Sequence, residues 1–427
     1  MAKFSITDLP AGESRIEKLL GGSVEVRSRS GLHPVEVALV EAMPKYAAKA
    51  RHLVTGNRTG VLPMALAAAD AAAQPHVSGC TGSGRIVVAH DFDIHHVRAV
   101  ARNVAANGFG RVGDALPREP FVADAEPIAL SCAEKLPDGG FDVVWIQASK
   151  TNTAAEVAQE WLEQAHGALA EGGVCVVGID GPEAWMQEQM KRVFGKVSAF
   201  PPCGGARVLA ARKAGPLRRR RDFSATFEAS LPDGLAPIAL KTVPGVFAHR
   251  RPDAGGLALA EVAREYVKPG DTLLDLGCGC GLVGLLLARH VAVGADAGAC
   301  AVPGGACCGR VVLVDSDARA FACTRANAAA NGLDGCCGFV LNDEGVGGGP
   351  AFDVVVGNPP YYSDYAIAGR FIREAGDVLK PGGIALIVAR DASHHAELLE
   401  KFVGPAKIEN RRGYQVAIAR RQCEGER

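Results

Sequence analysis

The chain has 427 residues, long for one domain and comfortable for two, with 48% apolar residues to fill real cores and 22% charged residues. A formal net charge of −1 excludes a globally basic nucleic-acid binder, so any RNA contact must come from local basic patches. No apolar run reaches membrane-spanning length, and Met1 to Leu20 has no apolar signal core while carrying Asp8, Glu13 and Glu17, so the expectation is a soluble, cytoplasmic protein with no membrane partner.

Taken in chain order, the first half supplies segments that return later. Near its start, His52-Leu53-Val54-Thr55-Gly56-Asn57-Arg58-Thr59-Gly60 reads as a strand entering a turn. Asn103-Val104-Ala105-Ala106-Asn107-Gly108 returns as Asn327-Ala328-Ala329-Ala330-Asn331-Gly332, and at the same offset Asp91 falls on Asp315 and Asp93 on Asp317. Phe141-Asp142-Val143-Val144 returns as Phe352-Asp353-Val354-Val355, and Leu169-Ala170-Glu171-Gly172-Gly173 as Leu379-Lys380-Pro381-Gly382-Gly383. Arg207 to Arg212 pairs with Gln415 to Arg420. Four matched segments in one order read as two copies of one βαβ-rich domain. Between the copies, Lys213-Ala214-Gly215-Pro216-Leu217 followed by Arg218 to Arg221 has the composition of a basic linker.

The second copy carries the chemistry. Thr272-Leu273-Leu274-Asp275-Leu276-Gly277-Cys278-Gly279-Cys280-Gly281 reads as strand and glycine turn, and Leu282 to Ala288 as the following helix. Glycines at the turn let a ligand approach the backbone. Asp275 at the strand end can accept hydrogen bonds from a ligand amino group. Val311-Val312-Leu313-Val314-Asp315 is a strand ending in an acid able to chelate two ribose hydroxyls, and Asn342-Asp343 closes a third strand, Gly338 to Leu341. Gly279-x-Gly281-x-x-Gly284 also satisfies a dinucleotide fingerprint, a reading that leaves the next stretch without a role. That stretch is Phe352-Asp353-Val354-Val355-Val356-Gly357-Asn358-Pro359-Pro360-Tyr361, a buried strand stopped by paired prolines. The turn falls at the strand's C-terminal edge, where open α/β sheets bind ligands. The Asn358 side-chain carbonyl and the Pro359 backbone carbonyl are two adjacent acceptors, which suits an exocyclic NH₂, and Tyr361 offers a face for base stacking.

In the first copy, Arg58 falls on Gly279, Thr55 lies near the Asp275 position and Gln147-Ala148-Ser149-Lys150 falls on the Asn-Pro-Pro-Tyr turn. A long side chain at Arg58 is expected to obstruct a nucleotide there. The 13 cysteines include no Cys-x-x-Cys pair, and Cys307-Cys308 and Cys336-Cys337 lack partners at finger spacing, so they read as reduced thiols rather than a metal site. Residues 291–309 read as a Gly-, Ala- and Cys-rich loop insertion without evident chemistry.

The order of glycine loop, ribose acid, further acid and Asn-Pro-Pro-Tyr resembles the S-adenosylmethionine (SAM) methyltransferases. Over its whole length the chain resembles the RsmC/RlmG group of bacterial ribosomal RNA guanine-N2 methyltransferases. The resemblance rests on Pro244-Gly245-Val246-Phe247 with Asp253-x-Gly255, Asp275 to Gly281, Asp315, Asp343, Asn358-Pro359-Pro360-Tyr361 and Gly413-Tyr414-Gln415-Val416. Ser149-Lys150-Thr151-Asn152 looks like a weakened form of that group's Pro-Lys-x-Lys segment. The resemblance implies an α/β chain of two tandem Rossmann-like class I SAM-dependent methyltransferase domains. These are a degenerate domain at 1–213 for substrate binding or scaffolding, a basic linker at 214–240, and a catalytic domain at 241–427. It implies SAM as cofactor, bound by Asp275, Gly277, Gly279, Gly281, Asp315 and Asp343. It implies catalysis by Asn358, Pro359, Pro360 and Tyr361, no metal, ribosomal RNA or a ribosomal subunit as partner, and a monomer. The group usually has Asn-Pro-Pro-Phe followed by His, where this chain has Tyr361-Tyr362. Asn-Pro-Pro-Tyr is typical of release-factor glutamine and adenine-N6 enzymes, so those acceptors stay open, as does a non-enzymatic RNA-binding protein.

Overall fold

The valine-rich runs form the central strands of two seven-stranded sheets, one in each of two units, Met1–Asp222 and Phe223–Arg427. The structure is a computed structural model that describes residues 15–19, 24–28, 31–73, 86–109, 128–149, 153–232, 234–291, 310–360 and 365–422. Tyr361, Tyr362, the Lys150-Thr151-Asn152 segment and nearly all of the 291–309 insertion lie outside the described residues. Among the described residues no helix is long and apolar enough to cross a membrane.

The first unit runs β1 (Arg15–Leu19), β2 (Val24–Ser28), α1 (Pro34–Ala42), β3 (Arg51–Thr55), α2 (Val61–Ala73), β4 (Ile86–Asp91), α3 (Ile94–Ala106), β5 (Ile128–Cys132), β6 (Phe141–Ala148), α4 (Ala155–Ala168), β7 (Leu169–Ile179), α5 (Glu183–Phe194), β8 (Val197–Ala199) and β9 (Arg207–Arg212). The second runs β10 (Ala225–Ala229), β11 (Ile238–Thr242), α6 (Ala254–Arg264), β12 (Leu273–Leu276), α7 (Leu282–Val291), β13 (Val311–Asp315), α8 (Ala318–Ala330), β14 (Cys337–Leu341), β15 (Phe352–Gly357), α9 (Ala366–Val378), β16 (Leu379–Ala389), α10 (Ser393–Phe402), β17 (Ala406–Arg411) and β18 (Tyr414–Arg420). The sheet orders are β5-β4-β3-β6-β7-β9-β8 and β14-β13-β12-β15-β16-β18-β17, the same order twice. In each, the strands are parallel except β9 and β18, which run against both neighbours. The strand order reverses beside β3 and β12, which creates a crevice at the C-terminal edge of each sheet.

Both faces of each sheet are covered, so the central strands are buried throughout and read as unbroken apolar runs rather than alternating ones. Phe352, fully buried at the start of β15, packs with Ile372, Val378 and Leu379; its replacement by Ala would cost about 3–5 kcal/mol.

The repeated segments have structural jobs. Asn103 Nδ2 donates to the Thr59 carbonyl at 2.8 Å, and Asn327 Nδ2 donates to the Cys280 carbonyl at 2.9 Å. Each bond ties the helix after the second central strand to the turn after the first. Asn107 and Asn331 in turn donate to the carbonyls of Asn103 and Asn327 at 2.8 and 2.7 Å. Asp93 and Asp317 cap α3 and α8, accepting from the backbone N–H of His95 and Arg319. β6 and β15 carry the same register shift after their first residue, at Phe141/Val143 and Phe352/Val354. Arg212 and Arg420 each reach back to a glycine carbonyl, Gly172 at 2.9 Å and Gly382 at 2.6 Å.

The expected linker at 214–240 is different in the structure. It contains β10 and the first residues of β11, an antiparallel hairpin paired from Ala225–Thr242 to Ala229–Ile238. The hairpin belongs to the second unit: Asn327 Oδ1 accepts from the Lys241 N–H at 2.8 Å and Asn331 Oδ1 from the Ala239 N–H at 3.1 Å. Arg221, from the basic run, instead pairs with Glu163 of the first unit at 2.5 Å. In β11 the residues Ile238, Leu240 and Thr242 are buried and Ala239 and Lys241 exposed, the period of two expected of a strand with one covered face.

Candidate functional site

The site begins with register. In the second unit Leu276 pairs with Val314 on one side and Gly357 on the other. The next residue of each strand, Asp315, Gly277 and Asn358, therefore leaves the sheet edge side by side. Val314 closes the row by accepting from both Gly277 and Cys278 N–H at 2.9 Å. Gly277, Gly279 and Gly281 all have left-handed backbones, with φ of 70°, 58° and 86°. A Cβ at Gly277 would lie 2.9 Å from Phe371 Cζ, whereas one at Gly279 would meet nothing within 4 Å. The turn is thus packed beneath and open above Gly279, a cradle for a ligand.

Carboxylates surround this cradle. Asp315 accepts from the Gly279 N–H at 2.8 Å and from Asp317 N–H at 2.9 Å, which fixes it against the turn. Asp275 is 2% exposed and accepts from the Gly284 N–H at 2.9 Å, beneath the turn. Burial pushes the Asp275 carboxyl up to about 7, the Gly284 hydrogen bond opposing and Asp315 adding to it. Asp317 is likewise pushed up to about 7, by burial and then by Asp315. Burial thus brings two of the three acids at this turn toward the neutral form and leaves Asp315, at the open side, as the acid hydrogen-bonded to the Gly279 N–H. Cys278 and Cys280 are buried in the turn, and burial raises both thiols, Cys280 to about 12, so they stay protonated small apolar groups. Asp343 lies two residues beyond the end of β14; its carbonyl accepts from Arg370.

At the third position of the row, Asn358 is half-buried and Pro359 buried. Asn358 Nδ2 donates to Asp253 Oδ2 at 2.8 Å, and the same oxygen accepts from the Gly256 N–H at 2.6 Å as the N-cap of α6. An acid directly before α6 is visible in the sequence; its partner 105 residues away is not.

The first unit presents the same row, Asp91, Gly56 and Gln147, by the same register. Its contents differ. Val54 stands where Asp275 stands in the second unit, since it pairs with Trp145 as Asp275 pairs with Val356. Asp91 meets His96 Nδ1 at 3.3 Å; burial alone would lower that imidazole, but the bond to Asp91 and the charges of Asp91 and Asp93 together hold it raised. Buried Gln147 donates to buried Asn57 at 3.4 Å, and a Cβ at Gly56 would lie 2.5 Å from the Gln147 carbonyl. The turn is closed from within by Asn57 and Gln147. Arg58, expected to be an obstruction, is exposed at the position of Gly279, and its charge acts on His96 beside Asp91.

Residues 237–417 match the family model of the methyltransferase small domain. The ribosomal RNA small subunit methyltransferase C of Pseudomonas aeruginosa (strain UCBPP-PA14) is 32% identical over 198 residues, 45% of this chain and 54% of that protein. Its counterpart in Pseudomonas paraeruginosa is 33% identical over 198 residues, again 45% and 54%. The chain thus spans about half the length of the curated relatives it matches. Among solved structures, the T. thermophilus 16S rRNA N2 methyltransferase RsmC, in complex with AdoMet and guanosine, superposes with a TM-score of 0.69 at 20% identity, covering 96% of this chain and 98% of that one. Together with the twice-repeated sheet order, this likeness gives the chain its fold: two tandem Rossmann-like α/β domains, as in RsmC.

Proposed function

We propose that the chain is a SAM-dependent methyltransferase acting on the exocyclic N2 amine of a guanine in small-subunit ribosomal RNA. One observation carries this reading: the open glycine turn with Asp315 and the Asn358-Pro359 strand end leave adjacent strands at the same edge, so a cofactor site and an amine acceptor site adjoin. The names of the similar proteins, and the guanosine in the RsmC complex, support the choice of base and RNA. Gly277, Gly279, Gly281 and Asp315 would hold SAM, with Asp275 stiffening the turn from below and Asp343 at the rim. Bound there, SAM supplies an electrophilic methyl group on a sulfonium.

The chain's own part is positioning. Guanine N2 is a weak nucleophile because its lone pair is conjugated into the ring. The Asn358 side-chain carbonyl and the Pro359 carbonyl accept its two hydrogens, which lets the nitrogen pyramidalise and direct its lone pair at the methyl carbon. With the amine so held, the chain's residues have only to align that lone pair with the methyl group that bound SAM would supply, the C–S electron pair staying with sulfur. The nitrogen then loses a proton to water, so no strong base is required. Pro360 stiffens the turn, and Tyr361 is assigned to stacking on the base. The first unit, with a closed turn of its own, serves RNA binding or support of its neighbour, and the exposed Arg218, Arg219 and Arg220 are its phosphate contacts.

The test is to incubate the purified chain with SAM and ribosomal RNA or small subunits and to identify the product by nucleoside mass spectrometry. N2-methylguanosine is expected. N6-methyladenosine, or methylation only of a glutamine-containing release factor, would overturn the choice of acceptor. No transfer to any of these would overturn the enzyme.

A further inference from the structure

We propose that Asp253 is a positioning residue that sets which end of the Asn358 amide faces the substrate amine. This rests on the methyl-transfer reading above and deepens it. An amide side chain has a donor end and an acceptor end of similar shape, and the proposed chemistry works only with the acceptor end toward the amine. A carboxylate accepts only. Asp253 Oδ2, 2.8 Å from Asn358 Nδ2, therefore holds the NH₂ end and turns the carbonyl oxygen away from itself. The bond is charge-assisted, and it polarises the amide so that its carbonyl becomes a stronger acceptor.

Asp253 is itself held. As N-cap of α6 it accepts from the Gly256 N–H at 2.6 Å, and Gly255 leaves room for it, since a Cβ there would lie 3.2 Å from Asp253 Oδ2 and 3.1 Å from Tyr414 Cε1. The first unit lacks the device. There α1 packs on α2, β7 and β9 as α6 packs on α7, β16 and β18, but its N-cap is His33. His33 accepts from the Val35 N–H and faces Asp180, while Gln147, at the Asn358 position, turns its NH₂ to Asn57. The acid and the asparagine occur together only in the unit with the open turn.

Asp253→Ser in the full chain tests this, because serine can still cap α6 but is too short to reach Asn358. The expected result is kcat for RNA methylation about tenfold to a hundredfold lower, with the melting temperature and calorimetric SAM affinity nearly unchanged. In the cofactor-free protein labelled with ¹⁵N-asparagine, the side-chain NH₂ signal assigned by Asn358→Ala should lose its downfield proton in Asp253→Ser. A second variant, Asn358→Asp, sets a carboxyl against Asp253. The two then share a proton at low pH, which restores a neutral group with its carbonyl toward the amine, and repel at high pH. Its activity should fall from pH 6 to pH 9, and the fall should vanish when Asp253→Ser is added. An Asp253→Ser protein with wild-type kcat and an unmoved amide signal would overturn the proposal. So would a loss of activity matched by lost SAM affinity or lost stability. A wild-type chain that methylates nothing would instead overturn the reading on which the proposal rests.

Discussion

The two units share a frame and differ at one edge of it. Both keep the strand order, the register shift at the head of the fourth strand, the asparagine tie from helix to turn and the arginine that closes the last strand. At the crevice, one has Asp275, Asp315 and Asn358 around an open glycine turn; the other has Val54, an Asp91 engaged by His96, and an Asn57–Gln147 pair that seals the turn. The frame residues act through backbone ties that any ligand-free domain needs. The edge residues tie only the turn beside them, as Asp275 and Asp315 do through the Gly284 and Gly279 N–H groups, so they can change while the fold persists.

The comparison breaks most sharply at Asn358. Asn358→Ala should lower methyl transfer at least about a hundredfold, as loss of a group acting on the reacting centre does, with SAM affinity within a few-fold. Near-normal turnover on the true RNA substrate would remove Asn358 from the chemistry. Next in size is Asp315→Ala, which deletes hydrogen bonds from a ligand to a charged group, each about 1.5–3 kcal/mol, so calorimetric SAM affinity should fall at least about tenfold. The matching change in the first unit, Asp91→Ala, should leave SAM affinity where it was.

Separating the units sharpens the contrast further. Residues 1–222 alone should bind no SAM and should bind RNA weakly, with an affinity that drops as salt rises. Residues 223–427 should bind SAM but methylate RNA poorly. A fragment beginning at residue 241 removes β10 and most of β11, strips partners from Asn331, uncovers Leu240 and Ile238 contacts, and should melt well below the 223–427 fragment. SAM binding by residues 1–222, measured by calorimetry, would contradict the reading of the sealed turn.

The smallest effect expected is on stability. Folding raises the Asp275 carboxyl from its ordinary 3.8 to about 7, so the folded state holds a proton that the unfolded chain has already released. Stability is therefore lost as pH rises from about 4 through about 7 and is level above that. Asp275→Asn keeps an acceptor for the Gly284 N–H without the buried charge. It should raise the melting temperature by a few degrees at pH 8, where each kcal/mol is worth about 2–4 °C, and by much less at pH 4.5. Equal gains at both pH values would show that the carboxyl is not raised.

Much of this was legible in the chain itself. The repeated Asn-x-x-x-Asn-Gly and Phe-Asp-Val-Val segments gave two copies of one fold because frame residues recur at fixed spacings, and strand-end acids, a glycine turn and Asn-Pro-Pro mark a crevice by local composition alone. What sequence could not supply was partnership across long separations. Asp253 reaches Asn358 because a helix cap and a strand end converge, and Gln147 meets Asn57 because β3 and β6 are neighbours. The β10–β11 hairpin was hidden for the same reason, since two short strands declare themselves only when α8 and its asparagines are there to receive them. Local chemistry is written residue by residue; which groups face each other, and so which are free to act, is decided only when the sheet sets their register.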